Sequence, residues 1–193
     1  MLPQNAVSDP AVTAPFFSPD DIDNQDLVSF ELGGIALNDP SQGRMVQVWT
    51  AFVTGQDVMI SADNHAPSVL FSVAGALSAV SLAFDSNMQP AVSFTEDGVV
   101  KLYWFDTLAP GFVTTSFPGL SSPSRLSTDD KRQSQEATSD VIFGYVKDGV
   151  LYWRQQRDRY TVEYTAGPVP EDMVLYRMGM NTKRRFQFEL REP

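Results

Sequence analysis

The chain of 193 residues has one histidine, His65, and no cysteine. Imidazole is the usual proton shuttle and metal ligand near neutral pH, so its scarcity narrows the chemistry at once. A histidine-based metal centre needs more histidines or cysteines around it, and thiol catalysis and disulfides need sulfur that is missing. His65 sits in SADNHAPS, a turn-like stretch, and reads as a surface residue. A Ser-His-Asp triad would want its serine on a G-x-S-x-G elbow. That elbow, a Walker A loop and a G-x-G-x-x-G loop are all absent from the sequence. The expectation is therefore not an enzyme: no catalytic residue, no cofactor and no metal.

Two charged clusters remain. DDIDNQD (20–26) gathers four aspartates, as a calcium loop would, but lacks glycine at the sixth position and glutamate at the twelfth. It reads as a solvated acidic arm. RQQRDRY (154–160) is the densest basic cluster to follow an aromatic strand. If the strand from Leu151 continues, Arg154, Gln156 and Asp158 share one face, and Gln155, Arg157 and Arg159 the other. The arginines then either pair locally with aspartate or clamp carboxylates of a partner through their planar forks. Arg154, Arg157 and Arg159 are candidate interface residues on the second reading. Phe16 and Phe17 join them, as adjacent aromatics in an otherwise polar arm. Paired carboxylates for glycoside hydrolysis are compatible with an all-β chain, yet no spacing singles out a pair.

The elements that would position these groups are strands. Residues 1–26 contain Pro3, Pro10, Pro15 and Pro19, five aspartates and no Lys or Arg, which makes them an extended acidic arm. Residues 27–193 read as the β domain. LVSFELGGIAL breaks at Gly33-Gly34 into two short strands, and MVQVWTAFV, TGQD and VMISA read as a hairpin. APSVLFSVAG, LSAVSLAFD, GFVTTSFPGL, RYTVEYTAG, MVLYRMG and RRFQFEL are further strand-like runs. Residues 121–140 are polar throughout and read as a loop or linker. No stretch keeps a helical apolar period for three turns, and aromatics at 11% suit pleated surfaces. The fold class is all-β.

AVSFTEDGVVKLYWFD (91–106) and VIFGYVKDGVLYWRQQ (141–156) write one phrase twice. Each has a strand, an Asp-Gly pair suited to positive φ, and a second strand through Leu-Tyr-Trp. WTAFVTGQDVMISA is a weaker third copy, with Phe52 placed relative to its turn as Phe94 and Phe143 are to theirs. Hairpins recurring at 40–50 residues suggest propeller-blade-like units. Because few blades cannot close a ring alone, a sandwich is the default arrangement. The Asp-Gly phrase also distantly resembles the Asp-box of sialidases, with different spacing; in that family the box is a structural turn.

Net charge is −10, unevenly spread. Residues 1–130 hold 15 acidic and 3 basic side chains; residues 131–193 hold 9 and 11. An acidic N-terminal part argues against nucleic-acid binding, which needs clustered Lys and Arg. No apolar run approaches the ~18 residues that span a membrane, and MLPQNAVSDP lacks the marks of a signal peptide.

Several stretches resemble a family of small β-rich bacteriophage virion proteins from the tail or the head-to-tail region. They are VQVWTAFVTGQDVMISA, VSLAFDSNMQPAVSF, DVIFGYVKDGVLYWRQQRDRYTVEY and RMGMNTKRRFQFEL, spanning about Gly33 to Leu190. The resemblance implies a structural part assembled in the host cytoplasm and repeated around the tail axis. Its implied partners are copies of itself and adjacent tail, portal or fibre proteins. It supplies no catalytic residues. The alternative from the residues themselves is a glycan-binding module for host attachment, using Tyr103 or Tyr152 as exposed aromatics.

Overall fold

A computed structural model describes residues 29–30, 33–36, 49–62, 66–85, 87, 89–128, 140–180 and 186–193. Sheet A holds β1 (Ser29–Phe30), β2 (Gly33–Ala36), β3 (Trp49–Thr54), β4 (Asp57–Ala62) and β5 (Ser68–Ser72), in chain order. Sheet B holds β6 (Leu77–Phe84), β7 (Pro90–Glu96), β8 (Val99–Asp106) and β9 (Gly111–Phe117). Sheet C holds β10 (Ser121–Thr128), β11 (Val141–Lys147), β12 (Val150–Gln155) and β13 (Tyr164–Pro168). Sheet D pairs β14 (Val174–Met180) with β15 (Phe186–Arg191). All pairings are antiparallel, so the protein is an all-β stack of meanders.

Each sheet packs on the next. Ala51, Val58 and Ile60 of A meet Val80, Leu82, Phe84, Val92 and Phe94 of B. Val100, Leu102 and Trp104 on the other face of B meet Leu126, Val141, Phe143 and Tyr145 of C. Ile142, Val146 and Leu151 of C then meet Leu175 and Met178 of D. A sandwich has one core between two sheets; the described residues form three cores between four sheets. Early strands of successive sheets also neighbour one another, β2 beside β6, β6 beside β10, and β10 beside β14. That is the blade-like member of the two expected arrangements, and the sandwich default is corrected. The cause is visible along the strands: residues 91–95 of β7 and 141–146 of β11 are buried without a break, because both faces of their sheets are covered. β9, at the rim of sheet B, mostly alternates instead.

The repeated phrase is the middle hairpin of sheets B and C, β7–β8 and β11–β12. Asp97 and Gly98 have φ of 48° and 79°, and Asp148 and Gly149 have 49° and 70°, as a type I′ turn requires. In the third copy Gly55, at φ 62°, leads the two-residue turn between β3 and β4. Register corrects two details. Phe52 pairs with Met59, Phe94 with Lys101 and Tyr145 with Tyr152, so Tyr145, not Phe143, matches Phe94. Trp153 faces Gly144 as Leu102 faces Ser93, so the two tryptophans are not equivalent. Trp104 packs toward C and Trp153 toward D.

The expected polar loop at 121–140 is also corrected. Its first eight residues are β10, with Ser124, Arg125, Leu126, Ser127 and Thr128 all buried. Leading strands of neighbouring sheets touch without sharing a ladder, so polar side chains tie them. The Leu126 N–H donates to Ser81 Oγ of β6 at 2.9 Å. Arg125 Nε donates to the Tyr176 carbonyl of β14 at 2.6 Å, and its Nη1 to the Ser124 carbonyl at 3.1 Å. Pro123, which has no N–H, falls where the β10–β11 register shifts. A strand whose buried groups are polar has no apolar alternation to betray it. Residues 129–139 lie outside the described residues.

Candidate functional site

One group of polar residues gathers where β6, β8 and β12 end and β11 begins. β12 stops at Gln155, and Gln156–Asp158 form a 3-10 turn in place of a continued strand. Arg159 and Tyr160 follow at φ 52° and 56°, two successive left-handed residues that fold the chain back. The alternation expected along 154–160 is thereby replaced by a loop seated between the sheets.

Three aspartates that the sequence reading passed over hold that loop. Asp85, just after β6, accepts the N–H groups of Asn87 and Gln89 at 2.8 and 2.9 Å with Oδ1. Its Oδ2 accepts from Gln156 Nε2 at 3.2 Å, and the same amide reaches the Phe105 carbonyl at 3.3 Å. Asp106, ending β8, accepts the Leu108 N–H at 3.0 Å and pairs with Arg159. Asp140, ahead of β11, accepts the Arg157 N–H at 2.9 Å and its Nε at 2.6 Å. Burial opposes the charge of Asp106, but the Leu108 N–H and the Arg159 guanidinium outweigh it and hold the carboxyl below its usual range. For Asp140 burial prevails over Arg157 and pushes the carboxyl up. The legible signal was Phe-Asp at a strand end, written at Phe84-Asp85 and Phe105-Asp106, where a short carboxylate caps the turn that follows.

Arg154 belongs to a second cluster, on the face of C that meets B. Its Nε donates to the Tyr145 hydroxyl at 2.6 Å, Nη1 to the Tyr160 carbonyl at 2.7 Å and Nη2 to Glu163 at 3.0 Å. The guanidinium lies 5.3 Å from the centre of the Phe117 ring. Tyr145 in turn donates to Glu163 at 2.6 Å. That hydroxyl is the main reason Glu163 sits below the usual carboxylate range, with Arg154 adding to it. Burial, then the Glu163 carboxylate, pushes Tyr145 up.

All three expected interface arginines make ion pairs within their own chain, Arg154 with Glu163, Arg157 with Asp140 and Arg159 with Asp106, carboxylates 9, 17 and 53 residues away and not the aspartate beside them. Arg157 and Arg159 keep about half of their side chains exposed, 54% and 50%, while Arg154 turns inward with 21% exposed. Phe16, Phe17, DDIDNQD and His65 lie outside the described residues. Tyr103 is stacked between Phe71 at 4.4 Å and Phe112 at 4.8 Å, so it offers no open ring for a sugar. Tyr152 is half-buried beneath Lys147, 5.8 Å from its ring centre. The stack ends in Phe112, 41% exposed, and Leu108, in the turn before β9, is 76% exposed.

Chemically, both oxygens of Asp85, Asp106 and Asp140 are engaged in closing turns or tying loops. Among the described residues no three His, Cys, Asp or Glu gather as a metal centre. No protein-family model matches the chain, and no curated protein matches it.

Proposed function

We propose that the protein is a structural component of a bacteriophage virion, a tail or head-to-tail part that assembles as a symmetric oligomer. It is built in the host cytoplasm and contacts neighbouring tail proteins. The resemblance of four strand-rich stretches motivates the reading. The observation that carries it is where the chemistry points. The described charged clusters are spent inside the chain, while an aromatic stack surfaces at Phe112 and Leu108 is exposed in the turn before β9. Exposed apolar groups of this kind suit contact with another protein surface. Closed rings are the usual product when one subunit's surface meets a different patch on the next.

Mass spectrometry of purified virions, with sedimentation velocity of the isolated protein, tests the proposal. The expected result is the chain among the particle proteins and an oligomer in solution. Its absence from the particle would overturn the reading.

A further inference from the structure

We propose that the chain's own N-terminal segment, through the stretch that holds Phe16 and Phe17, adds along the outer edge of β15 as the third strand of sheet D. Among the described residues sheets B and C have four strands each, while sheet D has two, with β15 the outer one. The outer edge of a sheet is a template for an added strand. The cover between sheets also thins toward D. Trp104 of β8 and Phe117 of β9, on the side of B that meets C, are 4% and 8% exposed. Trp153 of β12 packs on the core that Phe188 and Leu190 of β15 share, yet it is only half-buried. Tyr164 of β13, stacked on Trp153 at 4.3 Å, is half-buried too.

Residues 1–28 are placed to supply the strand. They precede β1, which lies beside β14 of sheet D. At ~3.3 Å per extended residue they reach as far as about 90 Å, and a third strand stands about 10 Å from β14. The other long stretches outside the described residues, 37–48 and 129–139, each join two strands within sheet A or sheet C. Charge is complementary. Residues 1–28 carry five aspartates and no Lys or Arg, while residues 174–193 carry five basic and two acidic side chains. Neighbours in an extended chain point to opposite faces, so one of Phe16 and Phe17 turns toward Trp153 and Tyr164. Pro15 and Pro19 flank the pair; proline is accepted on an edge strand and keeps a further strand from adding.

Hydrogen exchange of the intact chain, read at single amides, is the test. Slow exchange is expected along both edges of β15. Phe16→Ala with Phe17→Ala should speed the outer-edge amides roughly tenfold or more and leave the β11–β12 hairpin unchanged. Raised salt should speed the same amides, because it screens the aspartates from the basic hairpin. Dilution should leave them unchanged, since the strand comes from the same copy. Fast exchange at the outer edge in the wild type overturns the proposal. So does protection that the double variant leaves intact, which assigns the edge to another segment. Protection lost on dilution overturns it as well, by assigning the strand to a second copy. If the double variant fails to fold, asparagine at Asp20, Asp21, Asp23 and Asp26 together should speed the same amides, and no change there overturns the proposal.

Discussion

Gly144 and Tyr145 are neighbours on β11, and each carries a different kind of constraint. A methyl at Gly144 would lie 2.6 Å from Met178 Sδ and 3.3 Å from a Leu175 methyl, both in fully buried side chains of β14. Gly144→Ala is expected to cost ~1–3 kcal/mol by overpacking, measured by urea unfolding. Trimming Met178 in the same chain should recover part of the loss, because the two sites share one space. Tyr145 is constrained by hydrogen bonds. Tyr145→Phe removes the acceptor of Arg154 and the donor of Glu163, at an expected ~1–3 kcal/mol. It also has a signature in pH. Glu163 binds its proton less readily when folded, so its stabilisation is present above its ordinary pKa of 4.5 and fades as pH falls through the depressed value. Without the hydroxyl that depression shrinks, and the Tm gap between variant and wild type should narrow on acidification.

The hairpins set different demands at the scale of the element. Gly98 and Gly149 have nothing within 4 Å of where a Cβ would stand, yet hold φ of 79° and 70°. Gly98→Ala and Gly149→Ala should therefore each cost ~1–2 kcal/mol from backbone conformation alone. Trimming neighbours should restore nothing, the reverse of the Gly144 case. Asp97→Asn, which keeps left-handed tolerance at the turn, should be milder than Gly98→Ala. β6 offers a gain instead. Ala79 holds φ 51° within the register shift between Ser78 and Ser81. Ala79→Gly should raise stability by up to ~1 kcal/mol if relief of the left-handed strain exceeds the entropy of the added glycine.

For the whole molecule, acid is the informative stress. Among the described residues Glu96, Asp106, Asp158 and Glu163 sit below their ordinary range, and of the shifted carboxyls there Asp140 alone sits above. The depressed groups favour the folded state above the usual carboxylate range and lose that contribution as pH falls through their folded values. Asp140 runs the other way, since its folded form takes a proton more readily and its contribution is lost as pH rises through its raised value. Four against one, stability should drop on acidification, and Asp140→Asn should make the drop steeper. Thermal melts from neutral pH downward check both statements. The same seam ties sheet B to sheet C through Arg159 on Asp106 and Gln156 on Asp85.

Strand class and turns were legible because their causes are local. Asp-Gly needs only its own φ angles, and period-two patterning needs only the pleat. The all-β character and the role of the repeated phrase as a hairpin followed from residues near one another in the chain. What the tertiary structure decided was everything that depends on the second face of a sheet. β10 was hidden because its polar run is held by distant strands, the Leu126 N–H by Ser81 of β6 and the Arg125 guanidinium by the Tyr176 carbonyl of β14, 45 and 51 residues away. Arg154 looked like a surface clamp because only folding brings Tyr145, Tyr160 and Glu163 around it. Asp85, Asp106 and Asp140 became one seam for the same reason: a carboxylate's partners are set by the stacking of sheets, which no local pattern encodes.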